Sequence, residues 1–335
     1  EWQEKRFRTL QTVAGVARYT LHTTQHKEIY EPGGFKDADP ELFQLASEYF
    51  DEEGLDAVMW LYKPIMAGLG YGFFEELPAL YASRFVDPAK IAVLARTMFD
   101  KDTRVDVFSY GFQSLWEAVA KGLDVRLGTP IERVTRRNTD DGWRIEVNAG
   151  GRVEVFDRLI VTPSTPRVLS VLDATPDEVA IFDRLQFYPY VTTLFRATGL
   201  AQATTAYIGQ HARPNNRGRL MIYSQPHPDR DLYLGWQYGE RKDAGALAKM
   251  LADDVQKVGG TFGGIVHQEF WPEYFPHVGA DALRAGHFVQ LDKMQGANGT
   301  YYAGAHVDYE LTGTAAAWAN RLVERFFRSP RDVEG

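Results

Sequence analysis

Apolar residues recur at helical spacing from the start of the chain: Leu10, Val13, Val16 and Ala17 mark one face of an amphipathic helix within residues 1–24. The first 62 residues read as helical. Asp39 is placed as an N-cap, and Gly54 closes that helix. The next segment, "LDAVMWLYKPIMAGLGYG", is helical to Pro64 and ends in three glycines, and 77–86 and 88–99 predict further helices. The period changes at Arg104. "VDVFSYGFQSLWEAVAKGL" predicts a short strand, a turn at Gly111 and a helix ending at Gly122. Four or five short strands follow over 124–137, 142–156 and 157–166, with turns at Asn138–Gly142 and Ala149–Gly151. Strands at 190–199, 218–225 and 231–239 precede a helix at 244–259 and a strand at 266–275. A final strand, Tyr301-Tyr302-Ala303, ends in Gly304, and after a loop a helix opens with Gly313-Thr314-Ala315-Ala316-Ala317.

Composition narrows the functional classes. A net charge of −8 disfavours an electrostatic grip on nucleic acid or an anionic membrane, and no apolar run is long enough for a membrane span. The absence of cysteine excludes disulfides, thiolate metal sites and Cys nucleophiles. Twenty Phe, 17 Tyr and seven Trp make ring-walled apolar pockets easy to build. With no signal peptide visible, a cytoplasmic location is expected. The 335 residues suffice for two domains.

The small residues at the last strand end and helix start would let bare backbone N–H groups approach a phosphate or another electron-rich ligand. Taken alone, tight helix–strand packing explains them better. "GLGYG" at Gly68–Gly72 follows a helical segment and no strand, so it fails as a dinucleotide loop. It reads as a bend where backbone passes close to a ligand or another element, with Phe73 and Phe74 as aromatic walls or plain core. His22 and His26 have a zinc-compatible i, i+4 spacing but no clear third ligand, so a solvated helix face and no metal are expected. Asp51-Glu52-Glu53 reads as a solvated helix end, and Ser109, Ser164 and Ser224 lack a nucleophile-elbow context.

The order of elements carries more information than any single motif. "YGFQSLWEAVAKGLDVRLGTPIERVTRR…GWRIEV…FDRLIVTPSTPRVL" and "NGTYYAGAHVDYELTGTAAAWANRLVERF" resemble the middle and the C-terminal flavin segment of the flavin-containing amine oxidase superfamily. "AGLGYGFFEELPALYASRFV", "FWPEYFPHV" and "DKMQGANGTYYAG" more closely resemble the bacterial FAD-dependent polyunsaturated fatty acid isomerases, and together these matches cover most of residues 10–330 in order. Two departures stand out. The family pattern has Glu after Ala-Gly where this chain has Ala305 and His306, and the family's N-terminal strand–Gly-x-Gly-x-x-Gly–helix is missing.

The resemblance implies an α+β or α/β fold, with an incomplete FAD-binding Rossmann-like domain and a mixed sheet-and-helix substrate domain. Residues 1–104 would form the helical part of the substrate domain and 176–290 its sheet and helix. Residues 105–175 and 291–330 would form the middle and C-terminal parts of the FAD-binding domain. It implies FAD as cofactor, beside Ile131 (adenosine side), Thr162, Pro163, Gly304, His306, Gly313, Thr314 and Ala315. An apolar small-molecule substrate, such as an unsaturated fatty acid, would lie among Tyr71, Phe73, Phe74, Phe99, Tyr188 and Tyr274. The chemistry implied is hydride transfer that shifts a double bond. Two alternatives stay open: a flavin amine oxidase or dehydrogenase, for which Lys293 is a weak match to the expected lysine, and a non-catalytic ligand-binding remnant. The chain is expected to be a fragment, starting at Glu1 rather than Met, whose pyrophosphate cradle lies upstream or on a second chain, and not to bind FAD tightly alone.

Overall fold

The computed structural model describes residues 2–91, 108–163, 166–201 and 205–328, with side chains from residue 14 onward except those of 166 and 167. Phe99, most of the helix expected over 88–99 and the strand expected after Arg104 lie outside the described residues.

The N-terminal part is helical: α1 (Trp2–Gln25), α2 (Ala46–Glu52), α3 (Asp56–Gly68) and α4 (Ala79–Phe85). Two details differ from expectation. The helix placed over 39–54 is split: Asp39 accepts from Glu41 N–H and caps a short 3₁₀ turn, Pro40–Phe43, and α2 starts only after the extended Leu45. Helix α3 also runs through Pro64 rather than stopping there. The carbonyl that loses its donor belongs to Trp60, whose side chain is 76% exposed, so water reaches that face and the proline is tolerated.

The solvated reading of His22 and His26 is corrected. Both are buried, and Tyr49 Oη bridges them at 3.2 Å from His22 Nδ1 and 3.1 Å from His26 Nε2. Ser83 Oγ meets the other nitrogen of His22 at 3.2 Å. Neighbouring helices cover what local spacing left open, and burial lowers the His22 pKa to about 3. Among the described residues no group of three His, Cys, Asp or Glu could hold a metal ion. No helix among them is long and apolar enough to cross a membrane.

After α5 (Gln113–Ala120), strands β1 (Ile131–Thr139), β2 (Gly142–Ala149) and β3 (Arg152–Phe156) form an antiparallel meander. Strand β4 (Leu159–Val161) then pairs in parallel with β10 (Thr300–Tyr302), from the far end of the sequence. Between them lie α6 (Pro166–Val171), α7 (Pro176–Phe182) and a five-stranded antiparallel sheet. That sheet consists of β5 (Gln186–Thr198), β6 (Ala206–Tyr207), β7 (Ile222–Ser224), β8 (Leu232–Tyr238) and β9 (Thr261–His277), in the order β6-β7-β8-β5-β9. Helix α8 (Ala244–Lys257) packs Leu247, Leu251 and Val255 toward this sheet's smaller core, with Phe195, Leu220 and Tyr233. Helices α9 (Ala280–Arg284), α10 (His287–Lys293) and α11 (Thr312–Phe326) complete the chain.

A buried ion cluster ties the meander to the parallel pair. Arg136 on β1 makes two bonds to Glu178 on α7, at 2.5 and 2.8 Å, three to Asp173, at 2.7, 2.7 and 2.9 Å, and one to Thr300 on β10 at 3.1 Å. Tyr302 donates to the same Glu178 at 2.5 Å, and Glu178 closes a capping box with Thr175. Burial pushes the Glu178 pKa up, but the bonds from Arg136 and Tyr302 outweigh it and hold the carboxyl at about 2. This contribution is present above the unfolded carboxylate range and is lost as pH falls toward 2. Removing one partner leaves a charge buried and unpaired. Arg136→Met is therefore expected to cost about 3–5 kcal/mol in urea unfolding at pH 7, and Arg136→Met with Glu178→Leu is expected to recover much of it.

Candidate functional site

The two ends of the parallel pair set the site. Ala303 N–H bonds to Val161 O at 3.0 Å, which places Gly304 against the end of β4. Gly304 has φ +110°, and a Cβ there would stand 2.6 Å from Thr162 O, so only glycine allows this approach. Thr162 and Pro163 are exposed just beyond β4. The loop that follows is pinned on several sides. Asp308 pairs with buried Arg84 at 3.2 Å, Tyr71 donates to Glu310 O at 3.0 Å, and Trp318 Nε1 donates to Tyr302 O at 3.1 Å.

Helix α11 then begins without a side-chain cap, because its N-cap position is Leu311. Thr314 Oγ donates back to Tyr309 O at 2.6 Å and Leu311 O at 2.8 Å, so this hydroxyl is already committed to the loop. A Cβ added to Gly313 would meet nothing within 4 Å. The first turn of α11 thus presents backbone donors to open space, with the dipole's positive end behind them. Tight packing does not explain Gly313.

The remaining cofactor candidates are placed differently. Ile131 opens β1, on the meander, and lines a cleft of about 290 Å³ with Arg126, Val147, Glu154 and Phe156. His306 is turned inward: its ring is 2% exposed, 5.6 Å from Phe182, with both nitrogens unpartnered among the described residues. Burial lowers its pKa to about 3, and nearby His287, equally unpartnered, adds to the shift.

The ring candidates mostly converge. Tyr71 stacks with Tyr274 at 6.2 Å, and Tyr274 with Tyr190 at 4.8 Å. Phe73 packs on Tyr238 at 4.8 Å and edge-on to Tyr188 at 6.5 Å, while Tyr188 stacks on His277 at 4.8 Å. Phe74 points elsewhere and packs on Phe50 at 5.3 Å. The "GLGYG" bend makes this possible. Gly70 and Gly72 have φ +88° and +83°, and a Cβ on either would lie within 2.5 Å of the Tyr274 or Tyr188 ring. The bend's polar backbone groups are met by tyrosines of the sheet: Tyr238 Oη donates to Ala67 O at 2.7 Å and accepts from Gly72 N–H at 2.9 Å, and Tyr190 donates to Gly68 O. With hydroxyls so engaged, the rings offer mainly apolar faces.

Sequence reasoning missed Glu310 and Phe275. Glu310 lies among Tyr71, Tyr274 and Tyr309. Its carboxyl takes a hydrogen bond from Phe275 N–H, and its Oε2 is buried without a partner among the described residues. Phe275 has φ +51°, the left-handed region that a bulky side chain disfavours. No periodicity signals either residue, since both depend on where β9 meets a loop 35 positions downstream.

Burial raises the Glu310 pKa to about 7, against a hydrogen bond from Phe275 that lowers it. A raised folded pKa means stability present at acid pH and lost as pH rises through about 7. Glu310→Gln is accordingly expected to raise Tm by a few degrees at pH 8 and to leave it nearly unchanged at pH 5, read by thermal melts.

No family model and no curated protein matches the chain. Solved structures do. A CLA-producing fatty acid isomerase from P. acnes superposes with TM-score 0.85 at 22% identity, over 96% of this chain and 75% of that one. A putrescine oxidase variant redesigned in cofactor binding gives TM-score 0.65 at 14% identity, over 97% and 76%. Cyclohexylamine oxidase from Brevibacterium oxydans IH-35A gives 0.55 at 13% identity, over 91% and 75%. The chain therefore has the fold common to this isomerase and these oxidases.

Proposed function

We propose that this chain is the larger part of an FAD-dependent enzyme acting by hydride transfer on an apolar substrate, most specifically in the double-bond isomerisation of an unsaturated fatty acid. The observation that carries the proposal is the uncapped start of α11 opening onto free space at Gly313. The residues fit a flavin nucleotide there. Backbone at Gly313 and Thr314 supplies donors, with Ala315, whose N–H is bonded to Leu311 O at 2.9 Å, closing the turn behind them; Gly304 lets the two strand ends come together, and exposed Thr162 and Pro163 border them. Ile131 is assigned to the adenosine side, and His306 to the cofactor side through its backbone.

Bound there, FAD supplies a two-electron acceptor for hydride from an allylic methylene and a donor for its return to another carbon. The chain's own residues position and desolvate the substrate. Tyr71, Tyr274, Phe73 and Tyr188 form a ring-lined wall to hold an unsaturated chain and keep water out. Phe74, packed on Phe50, supports this wall from behind. The Tyr71 pKa is pushed up to about 12 by burial, so the wall stays uncharged at neutral pH. Lys293 is exposed at the end of α10, outside the tyrosine cluster, which favours an apolar substrate over an amine.

A segment supplying the pyrophosphate cradle, on the same polypeptide or a partner, belongs to this proposal. Phe112, just before α5, and Trp116 and Val119 on it are each about half exposed, and Val153, Val155, Phe156 and Ile160 present further apolar surface on β3 and β4. Such a surface suits a packed strand–loop–helix rather than water.

Two measurements test the proposal. Incubating the FAD-loaded protein with linoleate is expected to give conjugated-diene absorbance, whereas peroxide release from amines would overturn the isomerase assignment. In Gly313→Leu the new Cβ meets nothing within 4 Å, and the substitution gains helix propensity of roughly 0.5–1 kcal/mol. Its Tm is expected to hold or rise while flavin binding, followed by flavin fluorescence, falls at least tenfold. Unchanged binding would remove α11 from the cofactor site.

A further inference from the structure

Glu310 is an expensive residue to keep where it is. A carboxyl among tyrosine rings loses hydration, and one unpaired buried oxygen adds the desolvation cost of an unsatisfied acceptor. A glutamine, methionine or leucine would fill a purely structural position with less strain. The charged groups nearby do not neutralise it. Tyr71 of the glycine bend, Tyr274 of β9 and Tyr309 of the loop face it, all with pKa values raised by burial, so they are neutral near pH 7. Arg84 lies near enough to lower the Tyr309 pKa, but its two terminal nitrogens are bonded to Tyr30 O and Asp308. Phe275 is held at φ +51° with its N–H on the Glu310 carboxyl, which orients the group. Tyr309 Oη is a second buried polar atom without a partner among the described residues.

A fixed carboxylate oxygen and the faces of several tyrosines share one electrostatic preference, for positive charge. We propose that Glu310 is the anionic residue of a tyrosine-walled subsite that receives positive charge on the ligand. This rests on the isomerase proposal for the identity of that charge: loss of hydride, with its electron pair, from an allylic methylene leaves a cation spread over the allylic carbons, and hydride return cancels it. Glu310 exchanges no proton in this scheme. Its negative charge offsets a charge that exists only during the reaction, which is where such an interaction accelerates the chemistry.

The test needs no turnover. Binding of the hexyldimethylammonium ion and of an uncharged alkyl ether of the same size is measured calorimetrically on the protein at pH 8 and pH 6. At pH 8 the cation is expected to bind roughly tenfold more tightly than the ether. That preference is expected to shrink at pH 6, where Glu310 takes up a proton, to vanish in Glu310→Gln, and to survive in part in Glu310→Asp. Equal affinity for both ligands at pH 8, or an undiminished preference in Glu310→Gln, overturns the subsite. Should Glu310→Gln fail to fold, the pH 8 against pH 6 comparison on the wild-type protein decides alone. The outcome separates from that of the isomerase proposal. A Glu310-dependent charge preference without diene formation from linoleate supports the subsite and removes only the reaction assigned to it. Diene formation with no charge preference removes the subsite alone.

Discussion

The parallel pairing of β4 with β10 is the constraint on which the molecule's arrangement depends. It joins residues 159–161 to residues 300–302, with a five-stranded sheet and several helices threaded between them. Three-residue strands offer few hydrogen bonds, so the pair needs support, and the Arg136–Glu178–Tyr302 cluster supplies it from the side. The consequence appears at the strand ends. Gly304 and Thr162 come so close that no side chain fits between them, and the loop to α11 starts from a fixed point. A longer sheet could have reached the same register through backbone bonds alone. Here the register rests on a desolvated ion cluster, whose geometry is more specific than its net contribution is large.

A second level of order is built on tyrosine. Three rings of the cluster are anchored by their hydroxyls to backbone carbonyls of the glycine bend and the loop: Tyr238 to Ala67, Tyr190 to Gly68 and Tyr71 to Glu310. Phenylalanine would fill the same space but take these donors from the Gly68 and Glu310 carbonyls, leaving only Ala67 O with another, from Gly70 N–H. The same bonds turn polar edges toward the backbone and leave the ring faces to pack on one another, so satisfying the backbone and building an apolar cluster are one operation. The positive φ of Gly70 and Gly72 follows directly, because the rings occupy the space a Cβ would need.

Much of this was legible in the sequence. The small residues at Gly304 and Gly313 stand out against Trp318 and Leu322 of the same C-terminal segment, and their order beside Thr162-Pro163 carried the resemblance to the superfamily. Tyr71, Phe73, Tyr188 and Tyr274 were named together only through that resemblance, and the fold brings their rings into one cluster. What was not legible depends on distant packing. His22 and His26 are polar at a surface-like spacing, yet Tyr49 and Ser83 from other elements bury and satisfy them. Glu310 looked like any loop acid, and its surroundings come from α3's following bend and β9. Phe74, adjacent to Phe73, faces Phe50, since consecutive residues beside a glycine turn point to different sides.

The fold is also uneven in how completely it covers its apolar groups, and this unevenness is informative. The helical N-terminal part and the tyrosine wall share one continuous core in which Tyr19, Phe50, Phe73 and Tyr302 are all fully covered. The meander has only Val134, Ile145 and Leu172 at its centre, while α5 beside it in sequence buries none of its side chains. Three buried residues are too few to hold a meander and a helix by hydrophobic burial, at roughly 1.5–3 kcal/mol per large side chain. Its attachment through Arg136 to α7 and β10 therefore matters more here than it would in a well-packed sheet. The same argument orders the sequence of loss on destabilisation, with the meander and α5 opening first and the ring cluster last. The molecule thus joins a closely packed ring cluster to a loosely covered surface, and added apolar contact on that surface would stabilise the meander without disturbing the rings.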